Sequence, residues 1–152
     1  MSIEKAKLSD VEIVYEITET TIKNIYPHYY AKGAVEFFLE HHSKSSIAND
    51  VQSGRVFLCY DSEQNAVGTV TLKDNEICRL FVLPEYQKRG FGQELLDYAE
   101  TLVFKEHNEI ILDASLPAKR IYRKRGYQET ESNIIHVKYG DFLCYDVMRK
   151  RR

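Results

Sequence analysis

The stretch LFVLPEYQKRGFGQELLDYAE, residues 80–100, joins an apolar run to an amphipathic segment through a short, cationic, glycine-containing turn. Leu80-Phe81-Val82-Leu83 reads as a strand that stops at Pro84, since proline cannot donate to a ladder. Beyond Gly92 the apolar residues Leu95, Leu96, Ala99, Leu102 and Val103 recur at the spacing of one helical face. The unit is therefore strand, glycine turn, helix. Amide N–H groups at a helix start have no partner within the helix and sit at its positive end, so the turn is suited to gripping an anion. Glycine at 90 and 92 removes the Cβ atoms that would hold an anion's oxygens away from the backbone.

Upstream, RVFLCY, AVGTVTL and EICRLFVL, separated by the polar turns DSEQN and KDN, form an antiparallel meander that runs into this turn. Before it, Ser9-x-x-Glu12 has the form of a capping box, and Val11, Val14, Ile17, Thr18, Thr21 and Ile22 share a helical face. That helix should end near Pro27. YPHYYAKG reads as a loop, and AVEFFLEHH and SSIANDVQSG read as two more helices. Downstream come a strand, EIILDA, and a helix in SLPAKRIYRKRGY with Ala118, Ile121 and Tyr122 on one face and Gly126 as its stop. NIIHVKY and FLCYDVM then make a hairpin turning at Gly140-Asp141. With a short first strand in residues 2–7, the order is β–α–α–α–β–β–β–α–β–α–β–β. This predicts an α+β fold, a mixed, mostly antiparallel seven-stranded sheet flanked by about four helices, as one domain over residues 1–152.

The 152 residues suffice for one core, and a net charge of −2 gives no global attraction to nucleic acid or an anionic membrane. Cys59, Cys78 and Cys144 are odd in number, far apart and strand-borne, which predicts buried thiols and neither a disulfide framework nor zinc. The five histidines show no ligand spacing, so no metal is predicted; His136 is a candidate for the acceptor pocket or a structural residue. The first residues lack an apolar signal region, and the expected location is cytoplasmic.

Two anion loops are excluded. No Gly-Lys-Ser/Thr occurs, and a dinucleotide fingerprint would need glycine where Leu95 stands. What the chain resembles is the GNAT superfamily of N-acetyltransferases. The acetyl-CoA motif [QR]-x-x-G-x-[GA] is met by Gln87-Lys88-Arg89-Gly90-Phe91-Gly92, after a strand ending Val82-Leu83-Pro84. The resemblance spans the chain by element order and is specific over residues 76–126. It implies that acetyl-CoA, as co-substrate, sets its pyrophosphate on the backbone of residues 87–93, including Gln93. The side chains of Lys88 and Arg89 add charge, and the pantetheine runs along the backbone of Leu80, Phe81 and Val82.

The implied reaction is direct acetyl transfer from the thioester to a primary amine of a small molecule or peptide. An ammonium ion is no nucleophile, so a base is needed. Glu76, eleven residues before Gln87, stands close to the spacing of a catalytic glutamate in one branch of the family. Tyr122, in IYRKRGY, matches the family's tyrosine that donates to the departing thiolate. Where many relatives carry asparagine for a pantetheine contact, this chain has Ser115, which could also cap the helix. Tyr29 and Tyr30, in an aromatic loop with Tyr26 and His28, are expected to help bind the acceptor along with Glu76. The expected partners are acetyl-CoA and an amine, with no nucleic acid and no membrane; a homodimer is left open.

Two other readings compete. A non-catalytic acyl-CoA-binding module of the same fold would need neither Glu76 nor Tyr122. A nucleic-acid-binding domain would use Lys119, Arg120, Arg123, Lys124 and Arg125, although those cations also suit the 3′-phosphate of the cofactor or a solvated helix face.

Overall fold

The protein, described over residues 1–152 by a computed structural model, is built on one seven-stranded sheet in the order β1-β2-β3-β4-β5-β7-β6. The strands are β1 Ser2–Lys5, β2 Val56–Tyr60, β3 Ala66–Lys73, β4 Glu76–Val82, β5 Glu109–Ala114, β6 Gln128–His136 and β7 Phe142–Arg151. Only β4 and β5 run parallel. The helices are α1 Val11–Ile25, α2 Lys32–His41, α3 Lys44–Gln52, α4 Phe91–Val103 and α5 Lys119–Lys124. The element order is the one the sequence predicts, with α5 a short fifth helix of six residues.

The sheet separates two apolar cores. On one face α1 and α3 bury Val14, Ile17, Ile22, Ile47 and Val51 against Val56, Leu58 and Phe81. On the other, α4 buries Leu95, Leu96, Ala99 and Val103 with Ile110, Leu112, Met148 and Tyr122. Each fully buried aliphatic side chain of this kind contributes about 1.5–3 kcal/mol. Strand β3 is covered on both sides, as its nearly unbroken apolar run requires.

Local details depart from the sequence reading. The Ser9–Glu12 box does not form: α1 starts at Val11, and the Asp10 carboxylate instead accepts the Lys7 N–H at 2.8 Å. The nearer carboxylate wins, because a short acidic side chain bonds local backbone readily. Of the three cysteines only Cys59 is buried; Cys78 is half-buried and Cys144 exposed. Strand β7 presents alternate residues to solvent along the hairpin, and Cys144 falls on that side.

The hairpin end is fastened to α2. Asp141 accepts the Gly33 N–H at 2.9 Å, Tyr139 donates to Glu36 at 3.0 Å, and Lys138 pairs with Glu40 at 2.5 Å. A Cβ on Gly33 would lie 2.2 Å from the Lys138 carbonyl oxygen, so only glycine allows this approach.

Candidate active site

The site begins with a defect in pairing. Thr71 faces Arg79, but Leu72 faces Ile77, so β4 carries one extra residue, Cys78, as a β-bulge. Beyond it β4 and β5 part company, their pairing being confined to Glu76↔Ile111 and Ile77↔Leu112. From residue 78 onward the β5-facing edge of β4 has no partner strand.

Alternation decides which backbone groups line that edge. The Leu83 N–H donates to Val67 O at 2.9 Å, which makes the facing pair Thr69/Phe81 a hydrogen-bonded one. Phe81 thus spends its backbone groups on β3, whereas those of Leu80 and Val82 point into the opening. The Val82 carbonyl already accepts from Gln87 Nε2 at 2.9 Å and Thr21 Oγ1 at 3.3 Å. Among the three expected backbone contacts, Phe81 is therefore corrected: its ring is buried against Tyr26 and its amide is taken. Gln87 likewise acts through its side chain, bracing the strand end, while its own N–H donates to Pro84 O at 3.2 Å.

The turn after β4 leaves its backbone donors without partners in the protein. The amides of residues 88–93 donate to no backbone or side-chain acceptor, and the first bond of α4 is Glu94 N–H to Gly90 O at 3.1 Å. Lys88 (φ 61°) and Gly90 (φ 94°) take left-handed backbone conformations that curl successive N–H groups toward one side. A Cβ on Gly92 would meet only Val82 Cγ2, at 3.8 Å, so this position is open toward the β4 edge. Lys88 and Gln93 are exposed. The Arg89 guanidinium lies 5.1 Å over the Tyr86 ring and 5.8 Å from that of Phe91, whose side chain is core.

Across the opening, β5 ends at Ala114 and the chain turns through Ser115 and Leu116 into α5. Tyr122 is 6% exposed and its ring packs on Tyr127 at 5.5 Å. Its hydroxyl has no hydrogen-bond partner in the protein, yet it is not among the sealed unpartnered atoms, which are Ser2 Oγ and Glu36 Oε2. Burial, with Tyr26 nearby, pushes its ionisation well above the ordinary phenol range, so it keeps its O–H and can act as a hydrogen-bond donor. Ile121 does not share its face, being 54% exposed. Ser115 is not the helix cap, which is Ala118; the Ser115 carbonyl accepts the Ala118 and Lys119 amides at 3.1 and 3.0 Å. The Ser115 side chain is turned to the Tyr26 phenol, which burial also keeps protonated.

The aromatic loop divides. Tyr30 accepts the Leu116 N–H at 2.7 Å, clasping the α1–α2 connection to the turn before α5. Its hydroxyl is thus engaged within the protein. Tyr29 is 52% exposed, so the two tyrosines expected to act together stand in different surroundings. Tyr26, buried at 6% between Tyr30, Phe38 and Phe81, is the tyrosine of the loop that lies near Ser115 and Tyr122.

Glu76 stands where β4 still pairs with β5, on the sheet face toward the α1–α3 layer. Its ionisation is raised, first by burial and then by the Asp113 charge, with Lys73 opposing. Asp113 is raised in turn by desolvation and by Glu131, with His41 opposing. Strand register puts Asp113 and Glu131 on either side of Val147, so the carboxylates share one face. Asp113 and Glu131 were missed from sequence because each is an ordinary strand-borne acid. A cavity of about 230 Å³ farther along, between α2 and the hairpin turn, is lined by Phe37, Glu40 and His136 among others, which places His136 outside the opening.

The basic cluster is mostly spent internally. Lys119 pairs with Asp146 and Glu129, Arg123 with Glu129, and Arg125 with Asp97 and Glu100, leaving Arg120 and Lys124 without ion pairs. Glu100, buried in α4, also receives Lys150 at 3.1 Å and the Tyr127 hydroxyl at 3.0 Å, fixing α5 and Tyr122 to the cofactor-side helix.

The model of the acetyltransferase (GNAT) domain family matches residues 25–141, more than half of the chain. The spermidine N(1)-acetyltransferase of Thermoplasma acidophilum is 28% identical over 152 residues, covering 88% of this chain and 92% of that protein. A GCN5-related N-acetyltransferase of Rhodopseudomonas palustris superposes with a TM-score of 0.88 at 23% identity, over 99% of this chain and 95% of that one. The PaiA N-acetyltransferase of T. acidophilum, solved with coenzyme A, superposes with a TM-score of 0.73 at 23% identity over 100% of both chains.

Proposed function

The chain belongs to the GNAT family of acetyltransferases, and on that premise we propose that its own residues transfer acetyl from acetyl-CoA to a primary amine of a polyamine. The observation that carries the reading is the conjunction of a strand edge freed by the Cys78 bulge with six consecutive unpartnered amides at the start of α4. Together they offer a pyrophosphate cradle continuous with a slot for an extended arm.

In this reading the amides of residues 88–93 hold the pyrophosphate, and Leu80 and Val82 present backbone groups to the pantetheine. Bound acetyl-CoA supplies an acyl group activated as a thioester. Glu76, made more basic than an ordinary glutamate by burial and by the Asp113 charge, accepts the proton of the incoming ammonium directly or through water. The neutral amine attacks the acyl carbon from the α1–α3 face, the C–S bond breaks, and the second proton that the nitrogen sheds on becoming an amide passes to water. Tyr122 donates its O–H as a hydrogen bond to the sulfur as negative charge develops there, and the thiolate takes its proton from water. The acceptor assignment rests on Glu76, Asp113 and Glu131 gathered on one face, and on the spermidine named for a relative. Glu76 is half-buried and Asp113 and Glu131 are exposed; like charges gathered on one face repel one another, and a polycation would relieve that repulsion.

The test is an amine panel with acetyl-CoA, read by thiol release and by product mass. Spermidine and spermine should outrun monoamines, amino acids and peptide N-termini in kcat/KM. Preference for a neutral or anionic amine would overturn the acceptor class. Coenzyme A binding with no thiol release for any amine would point instead to a binding module.

A further inference from the structure

Arg79 follows the β4 bulge directly and is 5% exposed, with every donor group of its fork engaged. Nε donates to His42 Nδ1 at 3.1 Å, Nη1 to Thr71 Oγ1 at 2.9 Å and Nη2 to Asp50 Oδ2 at 3.2 Å. Strand alternation sends Arg79 and Phe81 into the α1–α3 layer, the side from which the amine approaches. His42 follows α2 and is 8% exposed. Its ring stands edge-on to Phe81 at 5.6 Å and to His41 at 4.9 Å, and His41 in turn neighbours Asp113.

A guanidinium only donates, so the Arg79 contact obliges His42 Nδ1 to accept, and the single proton of the neutral ring resides on Nε2. A second proton at Nδ1 would set N–H against N–H beside a full positive charge. The charged and titratable groups facing the ring are Arg79 from β4, His41 from α2, and Asp50 from α3 through Arg79; β3 contributes the uncharged Thr71. Burial, then Arg79, then His41 carry its ionisation down to about 3, in agreement with the hydrogen-bond argument. Nε2 has no partner within the protein and is not sealed off.

We propose that Arg79 is a positioning residue that locks His42 as an uncharged Nε2–H donor in the wall beside the acceptor. So held, the imidazole orients the amine without competing for its proton and without adding a positive charge next to a cationic substrate. This rests on the reading that the amine enters on the α1–α3 face. An unlocked histidine there would titrate close to neutrality and do both kinds of harm.

Nitrogen-detected NMR of the imidazoles in the wild-type protein, without substrate, tests the lock apart from activity. His42 should show the Nε2–H tautomer and no titration between about pH 5 and 8. A wild-type His42 that titrates in that window overturns the proposal, whatever the enzyme acetylates. Arg79→Met should free Nδ1, so that His42 titrates and the kcat/KM profile for the amine gains an ionisation absent from the parent. The same change should lower kcat/KM for the amine about 10–10²-fold by misplacing the wall, with coenzyme A affinity by calorimetry retained. Arg79→Met/His42→Gln should lose the new ionisation. Should Arg79→Met fail to fold, His42→Gln decides the orienting role: a selective rise in KM for the amine supports it, and parent kinetics overturn it.

Discussion

On the α4 side of the opening, the groups offered to a ligand are backbone: the amides of residues 88–93 and the free edge at Leu80 and Val82. On the α1–α3 side the proposed acceptor wall is made of side chains: Glu76 from β4, Asp113 from β5, Glu131 from β6, Tyr26 after α1 and His42 after α2. The first set comes from fourteen consecutive residues, 80–93, and the second from five segments spread over more than a hundred. A backbone cradle asks for glycine and a helix start and tolerates many side chains. A side-chain wall can be recomposed one residue at a time, which is how one cofactor grip can serve different acceptors.

The comparison breaks most visibly at Gly92. Its α-helical conformation accepts any residue, and a Cβ there touches only Val82 Cγ2 at 3.8 Å, so Gly92→Trp should fold normally. Filling the cradle should weaken coenzyme A at least about 10²-fold, or about 2.8 kcal/mol, by isothermal calorimetry. Binding at parent affinity would move the pyrophosphate elsewhere.

Tyr122→Phe removes a donor from the departing thiolate without opening a cavity. Turnover should fall about 10²–10³-fold with little change in acetyl-CoA affinity, measured by single-turnover kinetics. Parent turnover with chemistry rate-limiting would return Tyr122 to the core.

Glu76→Gln sharpens the acceptor side, because it separates activity from stability. The folded-state ionisation of Glu76 lies above its ordinary value, so the folded protein holds that proton more tightly than the unfolded chain. Charging Glu76 therefore costs stability, and the cost is complete once pH exceeds the raised value. At neutral pH the glutamine variant should melt slightly higher than the parent while turning over about 10²-fold more slowly. Part of that loss should return at high pH, where free amine is abundant. Parent activity with an unchanged pH profile would make Glu76 a wall residue only.

The smallest effect belongs to Tyr30. Tyr30→Phe keeps the ring against Tyr26 and Phe38 but deletes the bond to the Leu116 N–H. The loss, about 1 kcal/mol, should appear as a several-fold rise in KM for acetyl-CoA as the turn at Ser115 loosens. A rise in KM confined to the amine would restore the acceptor-binding role expected from sequence.

These contrasts explain what was legible. The element order could be read because it rests on local periodicity, and the candidate anion turn and Tyr122 could be named because each sits in a short motif with its own physics. Phe81 was misjudged because the sequence does not say which edge of β4 is free; the bulge at Cys78 and the Val67–Leu83 bond set that. Tyr29 and Tyr30 were paired because they are adjacent, while the 3₁₀ turn Tyr26–His28 sends one to solvent and the other to Leu116. Asp113, Glu131 and the Arg79–His42 contact are tertiary coincidences with no mark in the sequence. The basic run 119–125 looked like a surface until acids on α4, β6 and β7 were found beside it.

Residue-resolved amide exchange with and without coenzyme A addresses the central claim, that backbone freed by the β4 bulge and the start of α4 holds the cofactor. Protection should rise at residues 88–93 and at Leu80 and Val82, and stay constant at Phe81, whose N–H already faces β3. Protection that rises at Phe81 but not at Leu80, or that leaves residues 88–93 exchanging freely, would contradict the account.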